Sequence, residues 1–419
     1  MTLTNERPAA EAPRTGAGDI TERIRGAIEG ERERIVGLSH AIGEDPELAF
    51  EEHRAAARVA ELLDGAGFSV STGAYGLETA VEAVYGEGEV TVAVVGEYDA
   101  LPGVGHACGH NVIAAAGVGA ALGLSVVADE LGFRVKFLGT PAEELGGGKI
   151  LMLQRGAWDD ATFSLMVHGG PFAQIATAGF ASQAYERIIG EFRGRAAHAA
   201  AMPHEGVNAG DAVTLAQVGF GLLRQQLRKS VVVGSFVVEA GGATNVIPER
   251  GVIEVEIRGN TDEEWNDARR RVRAVLEGAA IATGCELEIT QPELPYAPLR
   301  NDADLARLFD AAMTEELGYE LAPAPDGSAG GSTDMGNVSQ YLPSIHPMIV
   351  LEGVEAVPHH QSFAAAALSP AGDRAAVDGA LALALAAAAA VADDVVRERL
   401  LREQRARRPY LESEASGLG

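Results

Sequence analysis

Cysteine is nearly absent: the 419-residue chain has only Cys108 and Cys285, far apart in sequence. A disulfide framework is thereby excluded, and a reduced, cytoplasmic setting is the simpler expectation. Basic residues are also scarce, with 33 Lys and Arg against 60 Asp and Glu and a net charge of −27. That balance speaks against nucleic acid or an anionic membrane as partner, and it says nothing about fold. The longest apolar run, Gly379 to Ala392, covers 14 residues and is mostly alanine. It falls short of the ~20 needed to cross a bilayer, so a buried helix is expected there. Residues 1–18 have no apolar segment and cannot be a secretory signal; a disordered leader is expected. No internal repeat is present. What remains is the composition of an ordinary globular chain, 47% hydrophobic and 22% charged, too long for one core and so expected to form two domains.

The chain is organised around Gly96-Glu97-Tyr98-Asp99-Ala100-Leu101-Pro102-Gly103-Val104-Gly105-His106-Ala107-Cys108-Gly109-His110-Asn111. An apolar run, Val90 to Val95, precedes it and reads as a buried strand; Val112 to Ala128 follows and reads as a helix. Acidic residues, two histidines and a cysteine thus share a strand-to-helix loop, the place where sites gather in open α/β sheets. Before it, Ile20 to Ile42 has helical spacing, a second helix runs from Glu47 to about Ala66, and Val81 to Tyr85 is a strand. After it come a strand Phe133 to Leu138, the loop Gly139 to Gly148, a helix Lys149 to Arg155 and a strand Phe163 to Val167. Near Ser182 the pattern changes: strand Ala184–Phe192, helix Gly206–Leu227, strands Val231–Ala240 and Gly251–Arg258, helix Asp262–Thr283 and strand Glu286–Thr290. This β-α-β-β-α-β order is the split βαβ unit. The expectation is an α/β chain: a catalytic domain over 19–182 and 295–406 with helices on both faces of a mixed sheet, an inserted α+β unit over 183–294, and a tail over 407–419. The charged stretch Arg397 to Arg408 reads as a fraying helix end, and Gly327, Gly330 and Gly331 suggest a mobile loop.

Four further stretches can carry chemistry. Thr140-Pro141-Ala142-Glu143-Glu144 sets two carboxylates at a strand end. Val167-His168-Gly169-Gly170 places a histidine after an apolar strand. Pro358-His359-His360-Gln361-Ser362-Phe363 supplies two adjacent histidines, which cannot easily both face one ion. Gly194 to Pro203 contains His198. Cys108, His110, Glu144, His168 and one of His359/His360, with Glu143 to spare, make the set a two-metal hydrolase needs: ligands for two ions and a free carboxylate to move a proton.

These motifs resemble the M20 metallopeptidase family, and within it the amidohydrolase branch, over roughly Ile20 to Val396. The residue after Cys-Gly-His is Asn111 where many branch members have Asp. With Ser332 to Ser339, this tilts the resemblance toward the aminobenzoyl-glutamate hydrolase and M20-domain-2 types. The resemblance implies Cys108 as bridging thiolate, His110, Glu144, His168 and the late histidine as the other ligands, and Glu143 as general base. His359 is preferred, since Phe363 stands four residues on, and His360 stays open. The inserted unit resembles a lid and dimerisation domain, implying a homodimer in which His198 reaches the partner's site as an oxyanion donor. Asn245, in Gly241 to Pro248, and Arg258 would contact a small-molecule amide substrate. Two divalent ions are implied, zinc or manganese first, with cobalt or nickel permitted. The reaction implied is hydrolysis of N-acyl or N-aminoacyl amino acids, dipeptide-like compounds or aryl-amide conjugates. A deaminase acting on an aromatic amine, and a non-catalytic binding protein on the same fold, are the alternatives. His40, His53, His106, His204 and His346 read as structural or surface residues.

Overall fold

The computed structural model describes residues 17–325 and 331–410. The expected leader up to residue 16, Gly327 and Gly330 of the glycine loop, and the tail from residue 411 lie outside the described residues. Two helices, α1 (Ala17–Gly30) and α2 (Arg32–Gly43), stand where one was expected, the chain turning at Glu31. The next helix starts at His53, not Glu47, as α3 (His53–Asp64). Phe50 is left-handed (φ 63°), and Glu47 stays outside the helix to accept the amides of Arg54 and Ala55 at 2.9 Å. A buried acidic acceptor thus replaces the first helical turn.

The chain continues through β1 (Ser69–Thr72), β2 (Val81–Tyr85), β3 (Val90–Glu97), α4 (His110–Leu131), β4 (Phe133–Thr140), α5 (Gly148–Gln154), β5 (Phe163–Leu165) and β6 (His168–Gly170). The inserted unit holds β7 (Ala184–Arg193), β8 (Ala197–His198), α6 (Ala209–Arg224), β9 (Val232–Glu239), β10 (Val246–Ile247), β11 (Arg250–Gly259), α7 (Asp262–Thr283) and β12 (Glu286–Thr290). After it come α8 (Ala303–Ala311), α9 (Met335–Tyr341), β13 (Ser344–Ile345), β14 (Met348–Val350), α10 (Gln361–Ala367), α11 (Pro370–Ala392) and α12 (Asp394–Ala406). The main sheet runs β1-β2-β4-β3-β5-β13. Its β3–β4, β3–β5 and β5–β13 pairs are parallel, and β1–β2 and β2–β4 antiparallel. Every residue of β3 is buried. Val92 and Val94 face the core under α4 and α11, while Ala93 and Val95 face a second core with Met152, Trp158 and Met335. A strand apolar on both faces needs helices on both sides, and both are present.

The small residues of α4 and α11 let these helices approach closely. A Cβ on Gly119 of α4 would stand 2.8 Å from the Cβ of Ala380 on α11. At 22 and 23 residues both helices are long and apolar enough to cross a membrane, more than the 14-residue run implied. Yet 89% and 83% of their apolar windows are buried inside the fold, so they are its core. The charged stretch expected to fray is the ordered α12, pinned by buried Val396, Leu400 and Leu401. In the inserted unit the sheet order is β12-β7-β11-β9, all antiparallel, with α6 and α7 packed around Ile188, Phe192, Phe220, Trp265 and Leu276. The expected βαββαβ order is seen, with an added β8–β10 ribbon.

Candidate metal centre

β3 and β4 end side by side, and the loops that follow them carry the candidate ligands. Gly109 (φ 79°) takes the left-handed turn that starts α4 at His110, fixing that buried imidazole at a helix N-terminus. His110 Nδ1 lies 2.8 Å from the carbonyl oxygen of Asp99 and 3.2 Å from its Oδ1. Nδ1 is therefore the donor, and in the neutral ring Nε2 presents its lone pair to the site. Asp99 Oδ2 also accepts the amide of Glu144 at 2.9 Å, so one carboxylate orients two candidate ligands. Ahead of Glu143 and Glu144, Ala142 is left-handed (φ 57°), an unfavourable conformation for alanine. Glu52 holds it there: its Oε1 accepts the Ala142 amide at 2.9 Å, and its Oε2 accepts Thr79 Oγ1 at 2.7 Å.

Beyond the expected strand, which ends at Leu165 rather than Val167, stands His168. It opens β6, which pairs in parallel with β14, and its Nδ1 lies 2.8 Å from the carbonyl oxygen of Gly169. His359 is left-handed (φ 66°) and donates its amide to the Ala107 carbonyl at 2.9 Å. His360 instead caps α10, its Nδ1 accepting the Ser362 amide at 3.2 Å.

Cys108, His110 and His168 offer ligand atoms within 4.8 Å of one another, and so do Cys108, Glu144 and His359. Cys108 belongs to both groups. Burial pushes the Cys108 thiol far up, so it becomes a thiolate where a cation takes the proton's place. Burial, then the carboxylates of Glu97, Glu144 and Asp334, hold Glu143 well above the usual range. Burial lowers His168, as suits a neutral imidazole ligand. Burial opposes charge on His110 too, but Glu97 and Asp99 outweigh it and raise it well above 6.5. Buried Glu97 Oε1, His110 Nε2 and Glu144 Oε1 have no hydrogen-bond partner, which fits a divalent cation among them. The residues present suit a metal pair.

The cluster opens into a cavity of about 650 Å³ lined by Cys108, Glu143, Glu144, His168 and His359, and also by Tyr185, Arg187, Arg258 and Glu293. Arg258 is held by Glu256 Oε1 at 2.6 Å and Ser332 Oγ at 3.2 Å and lies 4.9 Å from the Tyr185 ring centroid. His198 and Asn245 are not on this wall. They sit on the exposed β8–β10 ribbon, where His198 pairs with Val246 and Ala199 donates to the Asn245 carbonyl. Sequence reasoning missed several residues. Glu97 and Asp99 stood in the central motif without a role. Lys149, a lone cation opening an apolar segment, is fully buried between Glu97 and Asp334. His346, read as structural or surface, is buried with its ring centroid 5.7 Å from that of His168.

Residues 84–376 match Peptidase family M20/M25/M40. The chain is 35% identical over 401 residues to Xaa-Arg dipeptidase of Mus musculus, covering 91% of this chain and 92% of the mouse protein. It is 32% identical over 325 residues to a subunit of p-aminobenzoyl-glutamate hydrolase from Escherichia coli strain K12, covering 73% and 66%. In fold it is similar to a dinuclear metal-binding peptidase from Bacillus subtilis (TM-score 0.65, 23% identity, 85% of this chain and 99% of that one). It is also similar to an aminobenzoyl-glutamate utilization protein from Klebsiella pneumoniae (TM-score 0.63, 20% identity, 84% and 97%).

Proposed function

Because the chain belongs to Peptidase family M20/M25/M40, its chemistry is metal-dependent hydrolysis of amide bonds, and we propose that it runs on a dinuclear centre with Cys108 as the shared ligand. The observation that carries this reading is the place of Cys108 in two ligand groups at once, with the carboxylate of Glu143, a member of neither, alongside in the same cavity wall. One ion would be held by Cys108, His110 and His168, the other by Cys108, Glu144 and His359. Two such ions, zinc or manganese first among those these donors accept, would polarise the amide carbonyl and acidify the attacking water. Glu143 takes that water's proton and delivers it to the leaving nitrogen, a transfer its place in the cavity wall permits. Asp99 keeps His110 and Glu144 in place for the reaction, and Glu52 keeps Ala142 in the turn that aims Glu143.

The substrates are N-acyl or N-aminoacyl amino acids, dipeptide-like compounds or aryl-amide conjugates. Arg258, which lines the same cavity as the ligands, receives the substrate carboxylate, its guanidinium steadied by Glu256, Ser332 and Tyr185. The catalytic domain comprises 19–182 and 295–406, and 183–294 serves as lid and dimerisation unit. A homodimer brings His198, with Asn245, to the partner's cavity, where the imidazole donates to the carbonyl oxygen. The two free cysteines suit a reducing, cytoplasmic compartment.

Metal content and amide hydrolysis, measured on the wild type and on Glu143→Ala together, test the reading. About two ions in both proteins, with an amino acid released from an acyl-amino-acid library by the wild type alone, is the expected result. Activity retained by Glu143→Ala, or a wild type that binds no metal, overturns it.

A further inference from the structure

Glu97 closes β3 and is wholly buried. Its Oε2 accepts Lys149 Nζ at 2.5 Å, and Lys149 Nζ also donates to Asp334 Oδ1 at 2.8 Å. Asp334 Oδ2 accepts the Lys149 amide at 2.9 Å, so the cation stands fixed between the two carboxylates. All three side chains are inaccessible to solvent. Two carboxylates on one ammonium leave one negative charge over, and a buried charge is costly unless a further cation meets it.

The free oxygen of Glu97 points to where that cation belongs. Oε1 has no hydrogen-bond partner and lies 3.3 Å from His110 Nε2, which has none either. Because Asp99 engages His110 Nδ1, the neutral ring turns a lone pair toward a carboxylate oxygen, and two acceptors face each other across a short gap. Either a proton or a metal ion reconciles them. Cys108 and His168 converge on the same imidazole, and a proton would leave their donor atoms unused. Of the carboxylates around His110 Nε2, Glu97 is the nearest, against 3.8 Å for Glu144 and 3.9 Å for Glu143. Glu97, His110 and Glu143 themselves form a group whose ligand atoms lie within 4.8 Å of one another.

We infer that Glu97 is an additional direct ligand of the ion held by His110, its other oxygen locked by Lys149 and Asp334. Resting on the dinuclear reading above, this gives the His110 ion a carboxylate of its own, as Glu144 gives the second ion one. Lys149 and Asp334 are positioning residues: they fix which oxygen of Glu97 is offered.

The test compares the wild type with Glu97→Gln, which keeps the side chain's shape and can still accept from Lys149. Zinc stoichiometry, chelator competition and the visible spectrum after cobalt substitution are the readouts. Glu97→Gln is expected to retain one zinc tightly, to bind the other at least about tenfold more weakly, as loss of a metal-orienting contact does, and to change the cobalt spectrum. Two zincs held at wild-type affinity with an unchanged spectrum would overturn the inference while leaving the dinuclear reading intact. A wild type without metal would overturn both. Zinc-loaded wild-type crystals give a readout that needs no variant: Glu97 Oε1 within about 2.2 Å of an ion is expected, and an oxygen beyond about 3 Å, outside any bonding distance, would refute it.

Discussion

At the scale of single residues, the two late histidines show what adjacent identical side chains conceal. Sequence offers His359 and His360 with the same chemistry, and only the backbone separates them. The left-handed turn at His359 sends its ring toward Glu144, with Nε2 3.9 Å from Oε2, while His360 has β-region torsions and turns back to cap α10. His359→Ala is therefore expected to reduce activity by more than about 100-fold and to remove an ion, since even indirect metal-orienting contacts are worth 10- to 100-fold. His360→Ala should keep both ions and its activity and lose about 1 kcal/mol of stability, the value of a helix cap. Parallel kinetics, metal analysis and thermal melts on the two variants decide this, and the reverse pattern would exchange their roles. The groups that serve the candidate ligands without chemistry of their own were harder to see. Asp99, Glu52, Lys149 and Asp334 act by reaching residues 11 to 185 positions away, and no local pattern announces such partners.

At the scale of elements, hydrophobic period was a good guide wherever packing follows it. β2, α7 and β12 match their expected limits, because each alternates or repeats cleanly between a core face and an open one. The failures came where polar side chains set the boundary. Glu47 delays α3, and the strand expected over Phe163–Val167 stops at Leu165, with His168 opening the separate short strand β6. The inserted unit contains its own example of polar control. Glu186, on β7, receives Arg269 bidentately at 2.7 and 3.0 Å and Arg273 at 2.8 Å, and its side chain is fully buried. This contact ties α7 to the sheet. Glu186→Ala removes the carboxylate that both guanidiniums share and should cost about 3–5 kcal/mol, the usual penalty for breaking a buried pair. Glu191, paired with Arg193 and Arg250 on the exposed side of the same strand, should cost far less than Glu186 on replacement by Ala, because water screens an exposed pair. Urea unfolding of both variants measures the contrast, and equal losses would mean that the buried fork does not secure the unit.

At the scale of the whole molecule, the surface of the inserted unit bears on the proposed homodimer. α6 exposes Leu215, Val218 and Leu222, the last at 69%, although a helix packed on a sheet needs only one apolar stripe. Next to it, β9 is an edge strand of the four-stranded sheet, with Val232, Phe236 and Val238 also exposed. An unpaired edge beside an apolar helix face is a surface that proteins usually cover. The homodimer proposed above would cover it with a second copy, and the exposed β8–β10 ribbon with His198 belongs to the same unit. Charge works against casual association at a net −27, so the proposed dimer would rest on this apolar surface rather than on general attraction. The Leu222→Asp/Phe236→Asp variant places two carboxylates in the contact. The wild type is expected to sediment as a dimer and the variant as a folded monomer that keeps two ions but loses most of its turnover, because His198 no longer reaches a partner's cavity. His198→Ala should then lose comparable turnover while remaining dimeric. A wild type that is active as a monomer would refute both the interface and the action of His198 across it, and would return the apolar faces of α6 and β9 to an unexplained feature of the surface.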